Sequence, residues 1–265
     1  MLNISRSEFY NYLQRNRSHR SLENEALADE IKTIFHEHHG RYGCKRIQKV
    51  LEQQHIKVNH KRIARIMHQC GLRAKGARKH YRFIPNKTQY EPRCNLLNRV
   101  FSTQHKNQVW VGDITYIPTG RGFLYLAVFI DIFSRKVVGW AMNSNIRHNL
   151  VLSAFAQAYG REHPNKGLLV HTDQGSQYTS RQFTNQLEQH CCIHSMSRKG
   201  NPYDNAVMGS FFKTLKRELV NDSYYDDHEQ AKLSIFRYIE TYYNTKRLHS
   251  SLGWISPNQF EALRG

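Results

Sequence analysis

Apolar residues recur along this chain with two different periods, and the helical period gives way to the strand period near residue 108. From about 22 to 39, Leu27, Ile31, Ile34, Phe35 and His38 share one side of a predicted helix that Gly40 stops. A second helix over about 44 to 54 carries Ile47, Val50 and Leu51. The turn "HIKVN" then leads to Asn59, a helix-capping residue type. A third helix, about 60 to 70, buries Ile63, Ile66 and Met67 and stops at Gly71. From 108 onward "VWVGDITYI" alternates, "FLYLAVFIDIF" is a near-continuous apolar run suited to a central strand, and "KVVGWAM" is a third strand. Residues 148 to 160 predict a helix, "LLVHTD" a strand, 180 to 190 a helix and "CCIHSMS" a strand. In "NPYDNAVMGSFFKTLKRE", residues 201 to 218, a turn precedes a helix whose stripe is Met208, Phe212, Leu215 and Leu219. A last helical stretch, about 226 to 243, precedes "YYNTKRLHSSLGWISPNQFE". Three strands in hairpin succession followed by alternating helices and strands predict an α/β unit, a mixed sheet with flanking helices, behind an all-α N-terminal unit.

Charge adds a partner to this picture. The chain has 39 Lys and Arg against 21 Asp and Glu, a net charge of +18 and a pI of about 9.8. A polyanion is the natural partner; acidic charge serves mere solubility better. On the third helix Lys61, Arg65 and His68 lie at i, i+4 and i+7 opposite the apolar stripe, with Arg62 beside them. This suits a helix-turn-helix DNA reader; the alternative is an ordinary three-helix bundle with a solvated basic face. Residues 73 to 105 are basic and aperiodic, as in an extended linker that follows a phosphate backbone. The expected organisation is a basic N-terminal segment (1–20), a helix-turn-helix domain (21–72), a linker (73–105), the α/β domain (106–225) and a helical C-terminal extension (226–265). No apolar run reaches 18 residues and no signal peptide opens the chain, so the expected location is cytoplasmic, with no membrane partner. Five cysteines without CxxC spacing argue against a disulfide framework and a zinc ribbon. His36, His38, His39 and Cys44 could suggest a metal site, but neighbouring histidines near a helix end are more often solvated or near phosphate.

Two aspartates carry the candidate chemistry. Asp113 shares a strand face with Val109 and Val111, where an unpaired carboxylate is costly. Asp173 ends the strand "LLVHTD" and opens a Gly/Ser turn, at the end of the strand where ligands gather. Either alone is weak evidence. Joined to polyanion binding, they suggest phosphoryl transfer assisted by Mg²⁺, with Mn²⁺ as substitute; a two-metal site needs a third carboxylate. Gly209 stands in mid-helix on the face of Lys213 and Lys216, where glycine costs about 1 kcal/mol relative to alanine. Asp131, at a strand end beside Ser134 and Arg135, reads as structural. Arg247 and His249 read as DNA contacts or braces of the C-terminal helix, with Arg247 placed among the DNA-binding residues. "TGRG" is a hairpin turn, and no phosphate-loop motif occurs.

The strings "WVGDITYI", "FLYLAVFIDIFSRKVVGWAM", "HTDQGSQYTS", "SMSRKGNPYDNAVMGSFFKTLKRE" and "YYNTKRLHSSLGWISP", in this order, resemble the second-reading-frame transposases of the insertion-sequence-3 family. "HGRYGCKRI" with "VNHKRIARIMHQCGL" resembles the family's helix-turn-helix segment, so the likeness covers nearly the whole chain. It implies an RNase H-like fold as in retroviral integrases, and an Asp, Asp, Glu triad holding two Mg²⁺ ions. Asp113 and Asp173 match the two aspartates. The family keeps thirty-five residues between its second Asp and its Glu, and residues 174 to 208 make thirty-five, which puts Gly209 at the glutamate position. Lys213 and Lys216 match the family's DNA-contacting lysines. Asp204, about 140° round the helix, and Glu218, near the opposite side, are badly placed as substitutes. The resemblance therefore implies a DNA transposase whose second metal site is weak and whose catalysis is impaired. The alternative is a non-catalytic DNA-end-binding protein: a decayed copy, a repressor or an inactivated form. A general RNase H-type nuclease fits the fold but not the flanking segments. Implied partners are double-stranded DNA (terminal inverted repeats and target), a second copy in a homodimer or larger assembly, and the first-frame segment. No sustained heptads occur, so the chain reads as the second-frame part alone, at the bacterial nucleoid.

Overall fold

The computed structural model describes residues 5–13, 18–75, 94–198 and 201–265. It divides into two compact units, Met1–Ala77 and Arg78–Gly265.

Among the described residues the first unit holds the helices α1 (Arg6–Leu13), α2 (His19–Glu37), α3 (Cys44–Gln53) and α4 (His60–Gln69). Leu27, Ile31, Ile34 and Phe35 of α2, Ile47 and Leu51 of α3, and Ile63, Ile66 and Met67 of α4 form its core with Tyr42. The ends follow local chemistry. Asn59 Oδ1 accepts the Lys61 N–H at 2.8 Å and starts α4. Gly40, at φ +72°, donates its N–H to the Phe35 carbonyl at 2.8 Å and ends the segment after α2. Lys61, Arg65 and His68 are exposed on α4, on the side away from the core. Arg62, expected beside this stripe, is half-buried and turned to α2. Its Nε donates to Asn24 Oδ1 at 2.9 Å and a terminal nitrogen to Glu23 Oε2 at 3.2 Å, which braces α4 against α2.

The second unit is built on a five-stranded sheet in the order β3-β2-β1-β4-β5. β1 (Val109–Thr119), β2 (Gly122–Asp131) and β3 (Val137–Asn143) are antiparallel, and β4 (Leu169–Thr172) and β5 (Ile193–Met196) run parallel to β1. Gly120 and Arg121 form the β1–β2 hairpin turn at "TGRG". The helices are α5 (His148–Glu162), α6 (Arg181–Gln189), α7 (Ala206–Glu218), α8 (His228–Phe236) and α9 (Pro257–Arg264). Trp110, Ala127, Phe129 and Val170 on one sheet face pack against Val151, Ala154 and Phe155 of α5 and Phe183 and Leu187 of α6. Gly139 permits that approach: a Cβ there would lie 2.5 Å from the Ala154 carbonyl. α7 buries Met208, Phe211, Phe212 and Leu215 and packs along β1 on the other side. This is an RNase H-like mixed sheet with helices on both faces, as expected.

Two stretches differ from their sequence expectation. Of residues 73 to 105, 76–93 lie outside the described residues, while Leu96 and Leu97 donate their N–H groups to Ser195 Oγ at 3.0 and 3.3 Å. Leu97 is buried, so this end of the basic stretch packs on the sheet unit. The helix expected over 226 to 243 becomes a π-helical turn at Arg237–Tyr243. Tyr238, Ile239, Tyr242 and Tyr243 are all buried there, and the wider turn admits their bulk on one side.

Candidate active site

β1 and β4 set the site. Val111 lies opposite His171 in their parallel register, so Asp113 and Asp173, each two residues further on, stand side by side on adjacent strand lines. Such lines are about 4.8 Å apart. Asp113 Oδ1 accepts the Ile114 N–H at 2.7 Å, and Asp173 Oδ1 accepts the Gly175 N–H at 3.0 Å. Among the described residues no hydrogen bond reaches either Oδ2. Burial pushes both carboxyls up from the ordinary range. At Asp113 the charge of Asp173 adds to this, while the Ile114 N–H and Lys216 oppose it; at Asp173 the Gly175 N–H opposes it. Two acids in one partly buried edge resist joint ionisation unless a cation sits between them.

α7 presents the third element. Asn205, just before its first turn, donates Nδ2 to the Gly112 carbonyl at 3.1 Å. Towards its end the Lys216 ammonium stands 4.5 Å from the Tyr116 ring centroid and feels the charge of Asp113. Asn205, Gly209 and Lys216 fall at i−4, i and i+7, one face of the helix. The two anchors on β1 bracket Asp113, and Gly209 lies between them. It is exposed, and beyond its own helix backbone a Cβ there would meet no atom of the described residues within 4 Å. Lys213, one turn on, is exposed; Lys216 is half-buried, its pKa lowered by burial against the pull of Asp113.

Among the described residues, the two acids nearest in sequence to Gly209 are both committed elsewhere. Asp204 is fully buried, held by Arg198 Nε at 2.9 Å, Arg99 Nε at 2.8 Å and Asn95 Nδ2 at 3.0 Å. The Arg198 guanidinium keeps its carboxyl far below the usual range. Glu218 is buried under Arg247, which reaches it at 2.8–3.1 Å through Nε and a terminal nitrogen, and it accepts the Tyr238 hydroxyl at 2.9 Å. This corrects the placing of Arg247 among DNA-binding residues. It is 5% exposed and its charge is committed to Glu218, so it is the brace that ties the C-terminal segment to α7. Asp131 lies at the other end of β2, paired with Trp110, and accepts N–H groups from Asn107 and Ser134 at 2.6 and 3.0 Å; burial pushes its carboxyl up to about 6. Among the described residues no group of three or more His, Cys, Asp or Glu is placed to hold a metal ion.

Sequence reasoning missed two side chains here. Among the described residues the buried Tyr178 hydroxyl has no hydrogen-bond partner, and burial together with the charges of Asp113 and Asp173 pushes its pKa well up. The Asn205 Oδ1 is likewise buried and has no partner among the described residues; because Nδ2 must donate to a carbonyl, this is the other end of the amide. Asn205 was detectable as the residue one turn before Gly209.

Comparison with known proteins identifies the family of the chain. An HTH-like domain family matches residues 22–80, and integrase core domain families match 103–202 and 190–257. The transposase for insertion sequence element IS904 of Lactococcus lactis subsp. lactis (strain IL1403) is 54% identical over 249 residues, 94% of this chain and 98% of that protein. Transposase InsF for insertion sequence IS3A of Escherichia coli (strain K12) is 37% identical over 263 residues, 98% of this chain and 91% of that one. The HTLV-2 integrase catalytic core domain, solved in complex with magnesium, is 20% identical and aligns with a TM-score of 0.46 over 59% of this chain and 97% of its own. The chain belongs to the insertion-sequence-3 family of transposases, with a helix-turn-helix-like domain ahead of an integrase core.

Proposed function

We propose that this chain binds the ends of its insertion sequence through the helix-turn-helix domain (21–72), and that the α/β domain (106–225) is built for metal-dependent strand cleavage and strand transfer but lacks one catalytic side chain, at Gly209. The observation that carries the proposal is the register-matched pair Asp113 and Asp173 facing a helix whose intervening position is glycine in open space. The two unbonded Oδ2 atoms fit a divalent cation, Mg²⁺ or Mn²⁺, held by Asp113 and Asp173. Bound there, the ion would supply Lewis acidity at a phosphate oxygen. A second ion would gain no carboxylate from position 209, so its site should be weak or empty. The chain's own groups do the rest: Lys213 and Lys216 draw the phosphate backbone to the edge of β1, Asn205 holds α7 in register, and Lys61, Arg65 and His68 read or grip the end sequence. Arg62 joins them only if it releases Glu23 and Asn24. Residues 226–265 brace the core through Arg247 and Glu218.

As written, the chain is then a DNA-end-binding protein with little or no turnover. Its expected partners are double-stranded DNA of terminal repeats and target, a second copy bridging two ends, and the first-frame segment, all in the bacterial cytoplasm. The test is nicking and strand joining on labelled element ends in Mg²⁺ and in Mn²⁺. The unmodified chain should be inactive and Gly209→Glu at least partly active. Robust turnover by the unmodified chain would overturn this account of the site.

A further inference from the structure

Beside the paired acids lies a surface that the cleavage chemistry leaves unused. Tyr116 and Phe123, on facing strands of the β1–β2 hairpin, are 46% and 52% exposed. Their ring centroids are 5.2 Å apart at 70°. β4 pairs with β1 only over Val109–Val111, so among the described residues no strand covers that edge of β1 at Tyr116. The Lys216 ammonium holds the Tyr116 ring from one side, and Lys213 and Arg121 are exposed close by in the chain. Aromatic faces flanked by cations beside a carboxylate pair match an unpaired nucleotide: its base has two π faces and its phosphate needs a positive charge. An apolar protein partner would leave those cations uncompensated. Tyr116 is three residues beyond Asp113, roughly 10 Å of strand, which is about three stacked nucleotide steps.

We infer that Tyr116 and Phe123 form a stacking platform for an unpaired base within a few nucleotides of the phosphate held at Asp113 and Asp173. The platform favours DNA ends whose last pairs are open. This rests on the proposed function, since it presupposes a DNA end at the acids.

The probes are duplexes carrying the terminal repeat that flanks the gene, one blunt and one with its last pairs mismatched, each with 2-aminopurine among the terminal bases. With Mg²⁺ present, the full chain should bind the frayed end about tenfold more tightly than the blunt end and quench its fluorescence, as expected for one stacked base. Phe123→Leu removes one exposed ring and leaves the Tyr116–Lys216 contact in place, so an unchanged melting temperature is the control for folding. That variant should bind blunt ends as before and lose most of the preference and of the quenching. Equal affinity for frayed and blunt ends in the unmodified protein overturns the inference. So does a preference that survives undiminished in the variant. Failure to bind terminal-repeat duplexes of either kind overturns the proposed function itself and is seen as such, because the blunt duplex reports it separately.

Discussion

Gly209 carries no side chain, so atoms added there separate the helix from the chemistry. Its Cβ position is open and its backbone is helical, so Gly209→Ala should stabilise the protein by about 1 kcal/mol in chemical denaturation. It should restore no nicking, because it supplies no oxygen. If alanine brought activity back as well as glutamate did, the missing group would be helical order and not a carboxylate. Asp113 makes the complementary case. Its folded pKa is raised, so the stability it contributes is present below the ordinary carboxylate range and is lost as pH rises from about 4 through the raised value. Asp113→Asn removes that loss. It should raise stability at pH 8 by an amount on the order of 1 kcal/mol, with little change at pH 4, and it should abolish whatever activity Gly209→Glu recovers. Thermal melts across that range check the sign: a variant less stable than the parent at pH 8 would mean that Asp113 is held by a favourable charge partner.

At the scale of elements, α7 is fixed at three points, and each has a different energetic character. Asn205 hooks its start to β1, its apolar stripe enters the core, and Glu218 at its end takes the Arg247 guanidinium. The last of these is a buried ion pair, so removing one partner strands the other charge. Glu218→Gln should destabilise the sheet unit by about 3 kcal/mol. Arg247→Met with Glu218→Met should cost far less, because no lone charge remains. If neither change altered stability, Arg247 would be free for DNA and the correction drawn from its burial would fail. These contacts also mark the limit of what the sequence disclosed. The alternation of "VWVGDITYI", the apolar stripe of α7 and the Gly40 and Asn59 punctuation placed the elements, because they report local periodicity and caps. The thirty-five-residue spacing that the family resemblance supplies pointed to Gly209. The π turn at 237–243, the Ser195 hold on Leu96 and Leu97, and the Arg62 link to Glu23 depend on partners distant in sequence, and no period carries them. The same holds for Arg247: a basic residue in a polar string looks solvated until a buried glutamate is found opposite it.

The whole molecule carries +18, and the chain that bears it divides into two compact units. On the helical unit Lys61 and Arg65 are exposed without acidic partners among the described residues, whereas Arg62 spends its charge on Glu23. Cations of the first kind release condensed counterions when they meet phosphate, and cations of the second kind release few, because their own acid already screens them. Binding to end-sequence duplexes should therefore weaken steeply as salt rises, and log Kd should be linear in log salt concentration. Lys61→Ala and Arg65→Ala should each lower the slope by about 0.9, the value for one phosphate contact on duplex DNA. Arg62→Ala should leave the slope nearly unchanged and instead lower the melting temperature, since it removes the tie between α4 and α2. Lys213→Ala on the sheet unit should lower the slope too, without changing preference for the terminal sequence, since a phosphate contact carries no base information. An Arg62 slope effect equal to that of Arg65 would show that the Glu23 pair opens on DNA, and would return Arg62 to the reading face of α4.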